Sequence, residues 1–357
     1  MSYIKLTVVL ILLIGINTLG LKAKETKEQT IQSSSNSEIN SIKPDYSGLK
    51  YIKDRFISEY DSKVGKELWP IIKWKLSPNP KAKQKKAEKF SLPVIKHKTL
   101  PTITSDYIMW LGHASFLIKI ANSYILLDPA LTAPPFMLRK TALPLSISEL
   151  KGIDYLLVSH GHYDHLDSVT IKKLSGQKIK ALVPLKMGAL IKKWNSRIKI
   201  KEAKWFQKYQ IPDKELEIFL LPAKHWHKRG LTDLNKILWG SYLIRYKDTT
   251  IYFAGDTGYA DHFKKISELF PDIDYALMPI GAYDPSYLMR DNHINPQEAM
   301  KAFKDLKAKV FIPMHYGTFD LSDEPMGEPI KWLQKLAAEE AVEDQVKILK
   351  IGEILKI

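Results

Sequence analysis

Beyond about residue 100, short apolar or β-branched runs alternate with stretches of helical period. Runs at 107–110, 115–120 and 124–127 come first, with Gly112 and Asn122-Ser123 as the turns between them. The theme returns at 155–158, 179–183, 216–220, 241–246, 250–253, 275–278 and 310–313. Helices are predicted over 168–174, 187–194, 262–269, 296–306 and 329–340. Strands alternating with helices predict an α/β layered domain. No short internal repeat is visible.

The pattern before residue 100 is different. Lys5 precedes a chargeless run at 6–21, followed by Lys22, Ala23 and Lys24. A positive start, a short apolar centre and a small residue read as a secretory signal peptide. The run is shorter than the roughly 20 residues that a spanning helix prefers. An uncleaved anchor and a buried strand are the other readings. Residues 1–23 are therefore expected to be a signal peptide or membrane anchor, and the protein to be exported (periplasmic or extracellular) or membrane-anchored. Residues 24–44, with Ser33-Ser34-Ser35-Asn36-Ser37, read as a flexible linker. Residues 45–100 read as a basic aromatic arm packed on a catalytic domain at 101–357. From Lys73 to Lys98 the arm has nine lysines and one acid, Glu88, close to Trp69 and Trp74. It is either a surface for anionic lipid heads or an extended arm with its lysines in water. No clean amphipathic helix stands out in it.

Composition narrows the chemistry. The 357-residue chain is 45% hydrophobic and 26% charged, as globular proteins are. It has no cysteine, which removes disulfides, thiolate metal sites and thiol nucleophiles. A transition-metal site must use His, Asp and Glu. The excess of 54 Lys plus Arg over 39 Asp plus Glu, a formal +15, favours anionic partners or describes a solvated lysine-rich surface.

The informative residues sit where the strands end. The run at 155–158 stops at Ser159, and His160, His162, Asp164 and His165 follow at once. Three imidazoles and a carboxylate this close cannot all be core residues, because their desolvation would go unmatched. They suit zinc, and so many donors on one loop divide between two ions. His225, Asp256 and His315 each follow a further strand, as if every strand delivered one donor to the same edge. Gly255 permits a tight turn before Asp256.

The strings SHGHYDHLD (159–167), WLGHASFLI (110–118), AGDTGY (254–259) and the late His315 resemble the metallo-β-lactamase superfamily. LLDPAL, HWHKRG, LWGSYLI, PIGAYDPSYLM, NHINPQEA and HYGTF resemble one branch of it, the N-acyl-phosphatidylethanolamine-hydrolysing phospholipase D family. The resemblance runs from about residue 65 to the carboxyl end. It implies an αββα sandwich of two mixed β-sheets flanked by helices. It also implies two Zn2+ ions per chain. His160, His162 and His225 would hold one, Asp164, His165 and His315 the other, and Asp256 would bridge them. His293 resembles an additional active-site histidine and Asp128 an acidic neighbour. His227 departs from the pattern, since the family commonly carries cysteine there.

Two such cations lower the pKa of a shared water, and the hydroxide would attack phosphorus and expel an alcohol. His293 is a candidate to stabilise the phosphoryl oxygens or protonate the alcohol, and otherwise a neighbour of a helix cap. Asp128 would orient a ligand histidine, or merely shape the turn before Pro129. Asp164 belongs to both the metal and the catalytic sets. His113 reads equally as structural or catalytic, while His97 and His262 read as incidental. Tyr283, Tyr287 and Met289, with Phe136, Met137 and Leu138, either line an acyl channel or pack in the core.

The reading that results is a phospholipase D-type phosphodiesterase, converting N-acyl-phosphatidylethanolamine to an N-acylethanolamine and phosphatidic acid. Its partners would be the phospholipid, an anionic membrane surface and a second copy in a homodimer, with no nucleic acid. The alternatives are a hydrolase of a soluble lactone, β-lactam or nucleotide phosphodiester, and a non-catalytic surface scaffold.

Overall fold

The computed structural model describes residues 39–61, 68–135 and 137–357. The expected signal peptide or anchor, most of the linker and Phe136 lie outside the described residues. No helix among those described is long and apolar enough to cross a membrane.

In chain order, β1 (Leu49–Ile52) and β2 (Arg55–Ser58) form an antiparallel hairpin. Next come β3 (Tyr107–Gly112), β4 (Ser115–Ile120), β5 (Ser123–Leu127), β6 (Tyr155–Leu157), β7 (Lys180–Pro184) and β8 (Lys199–Ala203). They are followed by β9 (Gln207–Lys208), β10 (Leu216–Leu221), β11 (Ser241–Tyr246) and β12 (Thr249–Phe253). The last strands are β13 (Tyr275–Pro279), β14 (Val310–Met314) and β15 (Ile354–Lys356). One sheet has the order β15-β3-β4-β5-β6-β7-β8, and the other β14-β13-β12-β11-β10-β9. Both are mixed. In the first, β5 through β8 run parallel and the β3–β4 and β4–β5 pairs antiparallel. In the second, β12 through β14 run parallel.

The sheets are layered because their strands have two apolar faces. Alternate residues such as Trp110, Phe116 and Ile118 of one sheet share a core with Tyr242, Ile244 and Tyr252 of the other. Met109, Leu117 and Leu156 point the opposite way and meet Ile171 and Ile191 of the outer helices. The helices His262–Leu269, Pro296–Leu306 and Glu328–Glu339 cover the second sheet with Phe263, Phe303 and Leu333. This is the expected αββα sandwich. Burial on both faces explains why the inner strands read as continuous apolar runs rather than alternating ones. The helix Pro296–Leu306 has the bounds that its period predicts. Asn295 accepts from the Glu298 backbone in a capping box, and Pro296 occupies the first turn.

Strands β1, β2, β8, β9 and β15 were not expected. β8 reads Lys-Ile-Lys-Glu-Ala because it lies on a sheet edge, where charge blocks further pairing. The arm is not extended throughout, as one of its two readings had it. It contains the hairpin and the helices Leu68–Leu76 and Ala82–Ala87. Several of its polar groups are committed inward. Trp74 Nε1 donates to Asp323 at 3.0 Å, and Lys81 bridges Asp284 and Glu328 at 2.9 and 2.8 Å. Lys85 pairs with Asp320, and Glu88 accepts from the Gly327 backbone. The arm thus clamps the segment after His315.

Candidate metal centre

Each site loop leaves the carboxyl end of a strand. Asp128 follows β5, His160–His165 follow β6, His225 follows β10, Asp256 follows β12, and His315 follows β14. Parallel neighbours β5–β6 and β12–β13–β14 point these ends the same way, which gathers the donors on one edge. Three of the residues, His113, Asp128 and His315, have φ of 54°, 36° and 65°. Such left-handed backbone is costly for residues with a Cβ, and it collects at functional sites. Gly255 has φ of 59°, and a Cβ there would lie 2.7 Å from Ser159 Cβ. The turn into Asp256 therefore requires glycine.

Asp256 is the centre. Its Oδ2 lies 3.1 Å from His165 Nε2, 3.7 Å from His293 Nδ1, 3.9 Å from His160 Nε2 and 4.0 Å from His225 Nε2. Its Oδ1 lies 3.0 Å from His315 Nε2. On one side, ligand atoms of His160, His162 and His225 lie within 4.8 Å of one another. On the other, Asp164, His165 and His315 do so, and His113 is with them. All seven residues expected as ligands therefore converge, in the two expected groups. His113 Nε2 is 3.0 Å from Asp164 Oδ2, which places His113 at the centre.

Asp128 also falls near His160 and His165, but its oxygens are already engaged. Oδ1 accepts from Ser159 N at 2.6 Å; Oδ2 accepts from Ser159 Oγ at 2.5 Å and faces His165 Nδ1 at 2.7 Å. It is fully buried behind the His165 ring. Asp128 is therefore placed to orient the His165 ring, with both oxygens taken up by Ser159 and His165. His293 is half-buried, with its backbone N–H on Met289 O. His262 is not incidental: it is buried, with Nε2 3.2 Å from Thr257 Oγ1, next to Asp256. His97 Nε2 meets Gly352 O at 2.7 Å and pins the arm. His227 packs under Gly161, where a Cβ would meet its ring at 2.2 Å.

Arg229 supports the same loop, though nothing in its local sequence marks it. Its guanidinium stacks over Tyr163 at 4.0 Å and Trp194 at 4.8 Å. Its Nη1 donates to Gly161 O at 3.0 Å and Leu166 O at 2.7 Å, which holds the histidine loop in shape. The HWHKRG string contained it, but its target lies on another loop. Of the expected acyl-channel residues, Tyr283 is buried with its hydroxyl on Glu328, whereas Tyr287 and Leu138 are exposed.

The electrostatics separate the two groups. Burial pushes His160 and His225 well below the usual imidazole range, and His162 down to about 3. Burial acts the same way on His165, but the charges of Asp256 and Asp164 outweigh it and hold the group well above 6.5. For His315, burial is likewise outweighed by Asp256 and Asp164, which raise it to about 9. Burial would raise Asp256, yet the neighbouring imidazoles of His165 and His315 keep it well below the carboxylate range.

These residues fit cations. Among the described residues, His160, His165 and His315 Nε2 and Asp256 Oδ1 are buried without a well-formed hydrogen bond, and His162 Nδ1 faces His225 Nε2 at 3.1 Å. Buried polar atoms left unpaired are costly. Here they point into one region with two buried carboxylates, which calls for positive charge.

The β-lactamase superfamily domain matches residues 123–316. A Caenorhabditis elegans protein described as N-acyl-phosphatidylethanolamine-hydrolyzing phospholipase D 1 is 34% identical over 288 residues, covering 72% of this chain and 80% of the relative. A metal-dependent hydrolase of Hyperthermus butylicus is 32% identical, over 70% of this chain and 98% of the relative. Among solved structures, an isothiocyanate hydrolase from Delia radicum gut bacteria has the same fold. Its TM-score is 0.59 at 19% identity, with coverage of 70% of this chain and 98% of that one.

Proposed function

The chain belongs to the β-lactamase superfamily as a metal-dependent hydrolase, and from that premise we propose that it is a two-zinc phosphodiesterase of phospholipase D type. The substrate on this reading is N-acyl-phosphatidylethanolamine. What carries it is likeness over 72% of the chain to a relative described by that activity, with both donor groups around Asp256 complete. Zinc suits a cysteine-free set of imidazoles and carboxylates.

His160, His162 and His225 would hold one ion, and Asp164, His165 and His315 the other, with Asp256 between the two groups. Bound there, the two ions supply a nucleophilic water at neutral pH and positive charge for the phosphoryl oxygens. The protein's own groups supply orientation. Asp128 fixes which nitrogen of His165 faces the centre, because it occupies Nδ1. The Asn292 carbonyl does the same for His225 Nδ1 at 3.2 Å. His113 holds one oxygen of Asp164. His293, half-buried beside Asp256, stands where its ring can hold a phosphoryl oxygen or return a proton. In the reaction the water oxygen bonds to phosphorus and the phosphorus–oxygen bond to the ethanolamine arm breaks. The water's proton ends on the departing alcohol, giving N-acylethanolamine and phosphatidic acid.

Mass spectrometry of lipids before and after incubation tests this. The zinc-loaded protein is expected to convert N-acyl-phosphatidylethanolamine to these two products, and Asp256→Asn to leave it intact. A protein that binds two zinc ions but spares this lipid, while cleaving soluble esters or phosphodiesters, establishes the second reading. The likeness to a metal-dependent hydrolase over 98% of its length favours that alternative.

A further inference from the structure

Among the described residues the four most exposed large apolar side chains are Leu138, Trp69, Tyr287 and Leu231, at 72, 70, 69 and 66%. A single exposed apolar residue needs no explanation. The placement of these four does. Leu138 lies on the loop after β5 that begins with Asp128. Leu231 lies on the loop after β10 that carries His225. Tyr287 lies between β13 and His293. Trp69 is on the helix Leu68–Leu76, which Trp74 ties to Asp323. The Asp323 backbone in turn donates to Asp284 O, on the Tyr287 loop. Three site loops and the helix fastened beside one of them each present an apolar side chain around the same sheet edge.

The charge around this rim is one-sided. No acid occurs from residue 129 to 148, a stretch with an exposed Lys140; its Arg139 is half-buried, with the guanidinium on the Leu111, Ala130 and Thr141 carbonyls. Lys73 and Lys75 flank Trp74 on the arm helix and are exposed. The acids of the other loops are engaged. Asp233 accepts from the Arg229 and Gly230 backbones, and Asp284 pairs with Lys81. Aromatic and aliphatic side chains beside lysines are the composition of a surface that enters the headgroup layer of an anionic bilayer.

We propose that this rim is the docking surface by which the protein sits on an anionic lipid bilayer, with its metal centre facing the membrane. The purpose of the surface rests on the lipid-substrate reading, but its existence can be tested without hydrolysis. It assigns membrane contact chiefly to the site loops. The arm adds one helix, and its Lys81 and Lys85 are turned toward the protein's own acids.

The native chain has no cysteine, so single thiols can be introduced and labelled cleanly. Leu138→Cys, Leu231→Cys and Tyr287→Cys, each in the full chain, carry a nitrobenzoxadiazole fluorophore. Ile348→Cys is the control. It lies beside the start of β14, where Lys347 N meets Phe311 O, at the opposite end of that strand from His315. The probe is a vesicle of phosphatidylglycerol and phosphatidylcholine. A several-fold emission increase at the three rim positions, quenched by nitroxide-bearing lipid and absent at Ile348, is expected. The increase should shrink in pure phosphatidylcholine. Three silent rim probes, or an equal response at Ile348, overturn the proposal. So does a concentration-dependent increase without vesicles, because a second copy would then cover the rim. Tethering through residues 6–21 alone leaves the rim probes silent. Responsive rim probes with uncleaved phospholipid keep the rim and sink the substrate reading; detergent-dispersed lipid cleaved by a protein with silent rim probes does the reverse.

Discussion

The two donor groups flanking Asp256 contribute three side chains each, but they are not equivalent. His160, His162 and His225 are imidazoles that burial keeps neutral. Their outer nitrogens meet only modest partners, such as Ser159 Oγ for His160 at 3.0 Å. Asp164, His165 and His315 include a carboxylate, and two further side chains, Asp128 and His113, prop them. There the imidazoles are held toward the charged state. The same ligand count thus yields two environments. A cation in the second group replaces protons and meets one more negative charge than a cation in the first. The second group should bind its ion more tightly. The first, with half-buried His162, is the more open of the two.

The largest expected effect comes from removing what the groups share. Asp256→Asn should take lipid cleavage to the uncatalysed background and lower the metal content of both groups, read by elemental analysis of the dialysed protein. Asp128→Asn should act chiefly on the second group, through His165, and less on the first, which it reaches only through Ser159. Loss of an orienting partner costs about 10–100-fold in metal affinity or activity. A metal-affinity titration that shows both ions weakened equally would erase the distinction between the groups.

Stability against pH sharpens the contrast in the metal-free protein. His315, raised to about 9, contributes stability that is complete below about 6.5 and is lost as pH climbs toward 9. His162, lowered to about 3, has the opposite sign, and stability is lost as pH falls from about 6.5 toward 3. Urea midpoints of the metal-free protein should therefore peak near neutrality. Metal should flatten the alkaline side, because bound ions replace the protons. A metal-free midpoint that keeps rising to pH 9 would contradict this assignment. The smallest effect is expected from Arg229→Ala. It leaves the Gly161 and Leu166 carbonyls without a donor and should cost about 1–3 kcal/mol of unfolding free energy. The first group should loosen more than the second.

Much of this centre was legible in the sequence because the strands are buried on both faces. Apolar runs such as 155–158 and 310–313 end abruptly at a polar residue, which marks both the strand and its donor. The supporting contacts left no such mark. His113 meets Asp164, and Arg229 meets Gly161, only through tertiary packing of distant loops. Edge strands were hidden for the opposite reason to the inner ones. β8 carries exposed lysines that mask its apolar residues. In the arm, the lysine density concealed two short helices whose fixed charges face partners far along the chain, as Lys81 faces Glu328.

The most direct test of a centre divided around Asp256 is the number of zinc ions bound per chain, measured by titrating metal-free protein. Two ions are expected in the native protein, with the weaker one lost in His162→Ala and the tighter one in His165→Ala. A single ion in the fully active native protein, or two ions retained by Asp256→Asn, would contradict the account.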